Sequence, residues 1–298
     1  MSGIQEVEAQ RTSPATVEEY RHAVHIAIKA DSLNDVQSLL QQWRSVVSVP
    51  DPNSQDLQYL VPEAAKKDGK PAILEYLLSQ GGKIDTYTKS HTTSPEIFQI
   101  FVKHGWKVDN TMLYSHIAHP DLISLFLAYG ADPKDPTTSG TTPLDVAALR
   151  GPLESVKLLH SHGAPVGPGS WALNAAAQGD VPDRIPVMEY LLEHGADVNG
   201  IAGDFTGPSE ARRSGRRGTP LHAAAKWGNK EAKAWLLEHG ADPEAKNELG
   251  ETPAEWEKRF DHDGPEKIAR IRRNILRKNQ TKMEESEKQT QEGGQEVA

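Results

Sequence analysis

Apolar residues recur along this chain in paired short bursts punctuated by glycine. The cleanest pair lies in GTPLHAAAKWGNKEAKAWLLEHGADP, from Gly218 to Pro243. Ala223 to Ala225 form a small-residue segment that ends at Gly228; Ala232, Trp235 and Leu236 then return at steps of three to four before Gly240. Apolar positions at that step share one helix face, so the pattern predicts two short helices, a tight turn between them and a projecting loop after them. Thr219 stands where it can cap the first helix, and Pro220 where a missing N–H costs little. Gly228 and Gly240 stand where each helix must stop.

The same phrase returns at fixed offsets. TTPLDVAALRGPLESVKLLHSHGAPV, Thr141 to Val166, aligns Thr142, Gly151 and Gly163 with Thr219, Gly228 and Gly240. SWALNAAAQGDVPDRIPVMEYLLEHGADVN, Ser170 to Asn199, keeps the opening interval to Gly179 and then carries four extra residues before Leu191 and Leu192. Earlier, Leu39-Leu40 and Leu77-Leu78 stand eight and nine residues beyond Asp31 and Gly69, the offsets of Leu236-Leu237 from Gly228. Gly81, Gly105 and Gly130 are only 24 and 25 residues apart, so two units between them are shortened. One such unit cannot bury its leucines alone, whereas stacked units share a continuous core. The expected fold is therefore all-α: a solenoid of about seven to eight units over residues 18–279, two of them shortened or degenerate, in one elongated stack. Its largest irregularity is expected at residues 87–120, and residues 200–218 form an insertion. Residues 1–17 and the polar segment 280–298 lack an apolar period and are expected to be disordered.

The T-P-L-H-x-A signature is intact as Thr219, Pro220, Leu221, His222 and Ala224, and nearly so as Thr142, Pro143, Leu144, Asp145 and Ala147, with Asp in place of His. On these residues the chain resembles the ankyrin-repeat family, over about residues 18 to 275 and most strongly from 141 to 260. The resemblance implies a helical solenoid whose loop tips and first helices make a concave surface for partner proteins.

Composition narrows the chemistry. Zero Cys removes disulfides, cysteine nucleophiles and thiolate metal sites. A formal charge of −9 argues against a surface built wholly for nucleic acid. No apolar run is long enough to span a bilayer, and the opening MSGIQEVEAQRTSP has neither a basic nor an apolar stretch. These features lead to an expectation of a cytoplasmic or nuclear protein. Of twelve histidines, His104, His162, His194 and His239 precede a glycine at a repeated position, and His222 belongs to the signature. His116 with His119, and His160 with His162, lack a third ligand at recognisable zinc spacing, and no HExxH, P-loop or GxSxG occurs. No catalytic, cofactor or metal residue is assigned.

Candidate partner-binding residues lie where the repeat is interrupted or ends. In the short units Tyr87, Trp106, Tyr114 and His116 have two readings: they line a widened groove, or they fill the space left by missing helix turns. The insertion carries Arg212, Arg213, Arg216 and Arg217, a positive tip suited to an acidic or phosphorylated partner segment, or an ordinary solvated loop. Trp171 replaces the usual Pro of its unit, and Trp227 immediately precedes Gly228. Each is either a binding anchor or packing for a neighbour. Beyond residue 260, PEKIARIRRNILRKN reads as a capping helix with a basic face. The function expected is a protein–protein interaction module without intrinsic catalysis. The alternatives are a regulatory protein that binds a small or phosphorylated ligand, and an unusual enzyme working in the interrupted groove.

Overall fold

A computed structural model describes residues 17–46, 55–66, 69–138, 140–167, 170–179, 184–201 and 218–261. The arginine-bearing insertion, the expected capping helix and the expected disordered ends lie outside these residues. Every described element is helical, with no strand among them. The chain divides into two compact units, residues 1–132 and 133–298.

In the first unit, α1 (Val17–Lys29), α3 (Gln55–Ala64), α5 (Thr86–His91) and α7 (Thr111–Ser115) are the first helices of successive pairs. Their partners are α2 (Leu33–Val46), α4 (Pro71–Ser79), α6 (Pro95–Lys103) and α8 (Pro120–Ala128). Helix α1 packs on α3 and α3 on α5, while α2, α4, α6 and α8 pack in succession as a second layer. The shortening legible in the glycine spacing falls on the first helices: α5 has six residues and α7 five. TYTKSH is rich in residues that compete with a helical backbone. It is held as a single turn by its ends. The Asp85 carboxylate accepts the Thr88 N–H at 2.7 Å, and the Thr92 hydroxyl lies 2.8 Å from the Thr88 carbonyl.

In the second unit, α9 (Pro143–Arg150), α11 (Ala172–Gln178), α13 (Pro220–Trp227) and α15 (Pro253–Asp261) pack one on the next as a layer of first helices. Behind them, α10 (Leu153–Ser161), α12 (Arg184–Glu193) and α14 (Lys230–Glu238) form the second layer. Small residues let the first layer close up: Ala147, Ala148, Ala175, Ala176, Ala177, Ala224 and Ala225 are all buried.

The glycine that closes each second helix has one cause throughout. Gly163, Gly195 and Gly240 have φ of 96°, 96° and 89°, where side chains with a Cβ are strained. The reversal brings the next N–H back onto the helix, as in Ala241 N–H to the Leu236 carbonyl at 2.9 Å and Ala164 to Leu159 at 3.0 Å. The first-helix glycines divide. Gly228 is left-handed as expected, at φ 64°, but Gly151 and Gly179 are not. At Gly179 the cause is space, because a Cβ there would meet the Leu149 carbonyl oxygen at 2.7 Å and Arg184 Cδ at 3.0 Å.

Candidate functional site

Successive first helices of the second unit begin with the same reciprocal cap built from different side chains. In α9 the Asp145 N–H donates to Thr142 Oγ1 at 3.2 Å, and the Thr142 N–H donates to Asp145 Oδ2 at 2.8 Å. In α15 Thr252 and Glu255 repeat it, at 3.2 and 2.7 Å. In α13 the third helical residue is His222, whose Nδ1 accepts from the Thr219 N–H at 3.2 Å, so its proton sits on Nε2 and is donated to the Glu251 carbonyl at 2.9 Å. Asn174, at the same position of α11, likewise donates forward, to the Gly218 carbonyl at 2.8 Å. His222 and Asn174 thus cap their own helix end or reach the next unit, or both, and burial keeps His222 below the usual imidazole range. Asp145 is buried and ionisable, and desolvation pushes its carboxyl up to about 6.

A second set of ties runs backward, from each unit to the first-helix carbonyls of the unit before it. Arg184, itself buried, donates to the Ala148 carbonyl at 2.7 Å, the Gly151 carbonyl at 2.5 Å and the Ala147 carbonyl at 3.4 Å, placing its charge on the negative end of α9. Asn229 caps α14 by accepting the Ala232 N–H at 3.1 Å, while its amide donates to Gly179 at 2.7 Å and Ala177 at 3.2 Å at the end of α11. In the first unit the Thr92 hydroxyl reaches the Ala65 carbonyl at 3.0 Å. His116 Nε2 lies 3.0 Å from the Thr92 carbonyl and Nδ1 3.2 Å from that of Met112.

A chain in which every pair of helices repeats these caps, glycine stops and backward ties is a tandem repeat, and residues 111–202 and 165–247 match the family model for ankyrin repeats in three copies. The chain belongs to the ankyrin-repeat family. It is 38% identical over 136 residues to the mouse protein named ankyrin repeat and SOCS box protein 16, a match that covers 43% of this chain and 27% of that relative. The chain therefore spans about a quarter of the relative's length. Ankyrin repeats are in general protein–protein interaction modules.

The ankyrin frame sorts the candidate residues. His116 is corrected from groove lining to interior: it is 1% exposed, edge-on to Phe98 and Phe126 at 5.3 and 5.4 Å, and burial holds it below the usual imidazole range. Trp106 is half-buried and packs on Phe98 and Phe101 at 5.6 and 6.2 Å, with the Lys89 ammonium 5.8 Å from its ring. Tyr114 is also half-buried. Tyr87 is exposed and stacks on His91 at 4.0 Å. Trp171 is half-buried at the N-cap of α11. Trp227 is 38% exposed at the end of α13, whose preceding residues Ala224 and Ala225 are buried. Arg212, Arg213, Arg216 and Arg217 fall outside the described residues. The pre-glycine histidines are local helix caps: Nδ1 of His162, His194 and His239 lies 2.8, 2.7 and 2.7 Å from the carbonyl four residues earlier. No group of three or more metal-binding side chains occurs among the described residues, and no described helix is long and apolar enough to cross a membrane.

Sequence reasoning missed the surroundings of Trp227. Lys226 Nζ lies 6.0 Å from the centroid of the Trp227 ring and 5.6 Å from that of Trp256, which is 4% exposed, and the Arg259 guanidinium carbon lies 5.8 Å from the same Trp256 ring. The available signal was a shared offset. Trp256 stands four residues after Thr252, and Arg259 stands seven after it as Lys226 stands seven after Thr219.

Proposed function

We propose that this chain is a protein-interaction module whose partner docks on the first-helix surface of residues 133–261, with Trp227 as its anchor. The observation that carries this reading is the exposure of a large indole at the end of a helix whose other apolar residues are buried. A half-desolvated tryptophan at the surface leaves apolar area that a partner can cover, and tryptophan is the residue type most enriched among interface anchors. The groove alternative, a small ligand held between residues 87 and 120, has lost one of its four lining residues to the interior and a second, Trp106, largely to packing.

Purification of the tagged full chain from native cells tests the reading. A partner retained in stoichiometric amount by the wild-type chain should be lost or much reduced with Trp227→Ala, while the helical circular-dichroism melt of the variant stays in place. Equal retention by both chains would sink Trp227 as the anchor. Parallel loss of melting temperature and binding would assign the indole to packing.

A further inference from the structure

Resting on that reading of Trp227, the geometry points to a partner segment of acidic chemistry: a peptide that carries carboxylates beside a large apolar side chain. Helices α13 and α15 pack against each other and each contributes one cation to the same place. Lys226, half-buried, lies between the two indoles, within 6.0 Å of the Trp227 centroid and 5.6 Å of the Trp256 centroid. Arg259 lies over Trp256 at 5.8 Å and donates to Glu251 Oε1 at 2.9 Å. Cationic side chains normally sacrifice much rotational freedom when a partner fixes them. Here the ring faces and Glu251 already restrict both, so less ordering remains for an incoming carboxylate to impose.

The indole and the cations ask for different halves of one ligand. Trp227 offers apolar area, and a cation directly beside it attracts an anionic neighbour of whatever covers that area. A basic segment would find the Trp227 face attractive but would meet Lys226 and Arg259 as like charges, which costs affinity and specificity. The positive pair also stands out against a chain whose formal charge is −9, so an acidic segment repelled by much of the surface is favoured at this spot. An extended nucleic-acid backbone needs a longer run of cations than two, and the same net charge opposes it.

Selection of a random dodecapeptide phage library on the immobilised full chain, followed by anisotropy titrations of the recovered peptides, tests the inference. Peptides dependent on Trp227 should be enriched in Asp and Glu next to Leu, Phe or Trp. Their affinity should fall about tenfold or more with Trp227→Ala. It should also weaken as salt rises from about 0.05 to 0.5 M, because exposed charge pairs are screened over that range. Lys226→Gln with Arg259→Gln should remove the acidic preference and flatten the salt slope, with helical melts recorded to show that each variant folds. Trp227-dependent peptides without acidic enrichment, or with affinity indifferent to the two glutamines, would overturn the acidic assignment and leave the docking reading standing. A selection that yields no peptide dependent on Trp227, or in which only basic peptides depend on it, would overturn the inference; the former outcome would take the docking reading with it.

Discussion

Residues 86–128 and residues 143–238 fill the space between neighbouring first helices in opposite ways. In the second stretch the first helices are seven or eight residues long and lined with alanine, and close approach is stabilised by polar ties such as Arg184 on the end of α9 and Asn229 on the end of α11. In the first stretch α5 and α7 are only six and five residues long, and the missing backbone is replaced by rings. Phe98 lies at the centre, meeting Phe126 at 4.9 Å, His116 at 5.3 Å, Phe101 at 5.5 Å and Trp106 at 5.6 Å. The lesson is that a repeat tolerates a truncated helix when side-chain volume takes over from main-chain volume. That exchange makes one region depend on packing and the other on hydrogen bonds to helix ends.

The largest effect follows from Phe98. Phe98→Ala removes the ring that four other rings touch, in a site whose short helices have few atoms with which to collapse. The expected loss is about 3–5 kcal/mol, the range for a fully buried Phe truncation. Urea unfolding followed by circular dichroism measures it. A loss close to that of an ordinary surface change would mean that α5 and α7 are not supported by the aromatic cluster.

Next in size is the polar side of the comparison. Arg184→Met keeps much of the side-chain volume but leaves the carbonyls of Ala148 and Gly151 without their donor; hydrogen bonds from charged groups stabilise by roughly 1.5–3 kcal/mol, and that is the expected loss. Arg184→Lys should recover only part of it, since one ammonium cannot reproduce a planar fork over the end of α9. Full recovery with Lys would show that charge at the helix end matters and the fork does not.

Asp145 adds a pH dependence that His222, at the equivalent cap, cannot have with the same sign. The folded-state carboxyl is raised from 3.8 to about 6 by burial. The folded chain therefore holds this proton more tightly than the unfolded chain. Its contribution to stability is fully present below about pH 4, and is lost as pH rises from there through about 6. Asp145→Asn should remove that slope, a difference of at most about 3 kcal/mol across the window, because each tenfold change in proton affinity corresponds to about 1.4 kcal/mol. His222 is lowered, so its own contribution runs the other way and is lost as pH falls below the usual imidazole value. Denaturation midpoints of the wild-type and Asn chains between pH 4 and 7 should run parallel if Asp145 is not the source.

What was legible in the sequence was whatever depends on residues a few positions apart. Thr142 with Asp145, Thr219 with Pro220, and the glycines that stop second helices could be read from spacing because their partners lie within one helical turn. So could the shortening near residues 87–120, which showed as missing residues between glycines. Arg184 was not legible. It sits among the four extra residues of its unit and reaches carbonyls 33 to 37 residues back, so nothing nearby marks it as buried. His116 failed for the same reason: its carbonyl partner Thr92 is 24 residues away, and the rings that enclose it come from α6 and α8. The exposure of Trp227 was readable from its place before Gly228, but the cations around it were not, since Arg259 comes from a separate helix.

The smallest expected effect lies on the outer surface. Lys103 on α6 and Glu75 on α4 form an ion pair at 2.5 Å between neighbouring second helices, and the ammonium holds the Glu75 carboxyl below its usual range. Lys233 on α14 and Glu257 on α15 make a comparable pair in the other region. All four side chains are open to water to a third or more of their surface, where screening and the entropy of fixing long side chains offset most of the attraction. Lys103→Met and Lys233→Met should therefore leave the urea midpoint almost unmoved, and by the same small amount in both regions. If Lys103→Met were instead as damaging as Phe98→Ala, the short-helix region would be held from its outer face, and the contrast between a ring-packed region and a hydrogen-bonded one would fail on its ring-packed side.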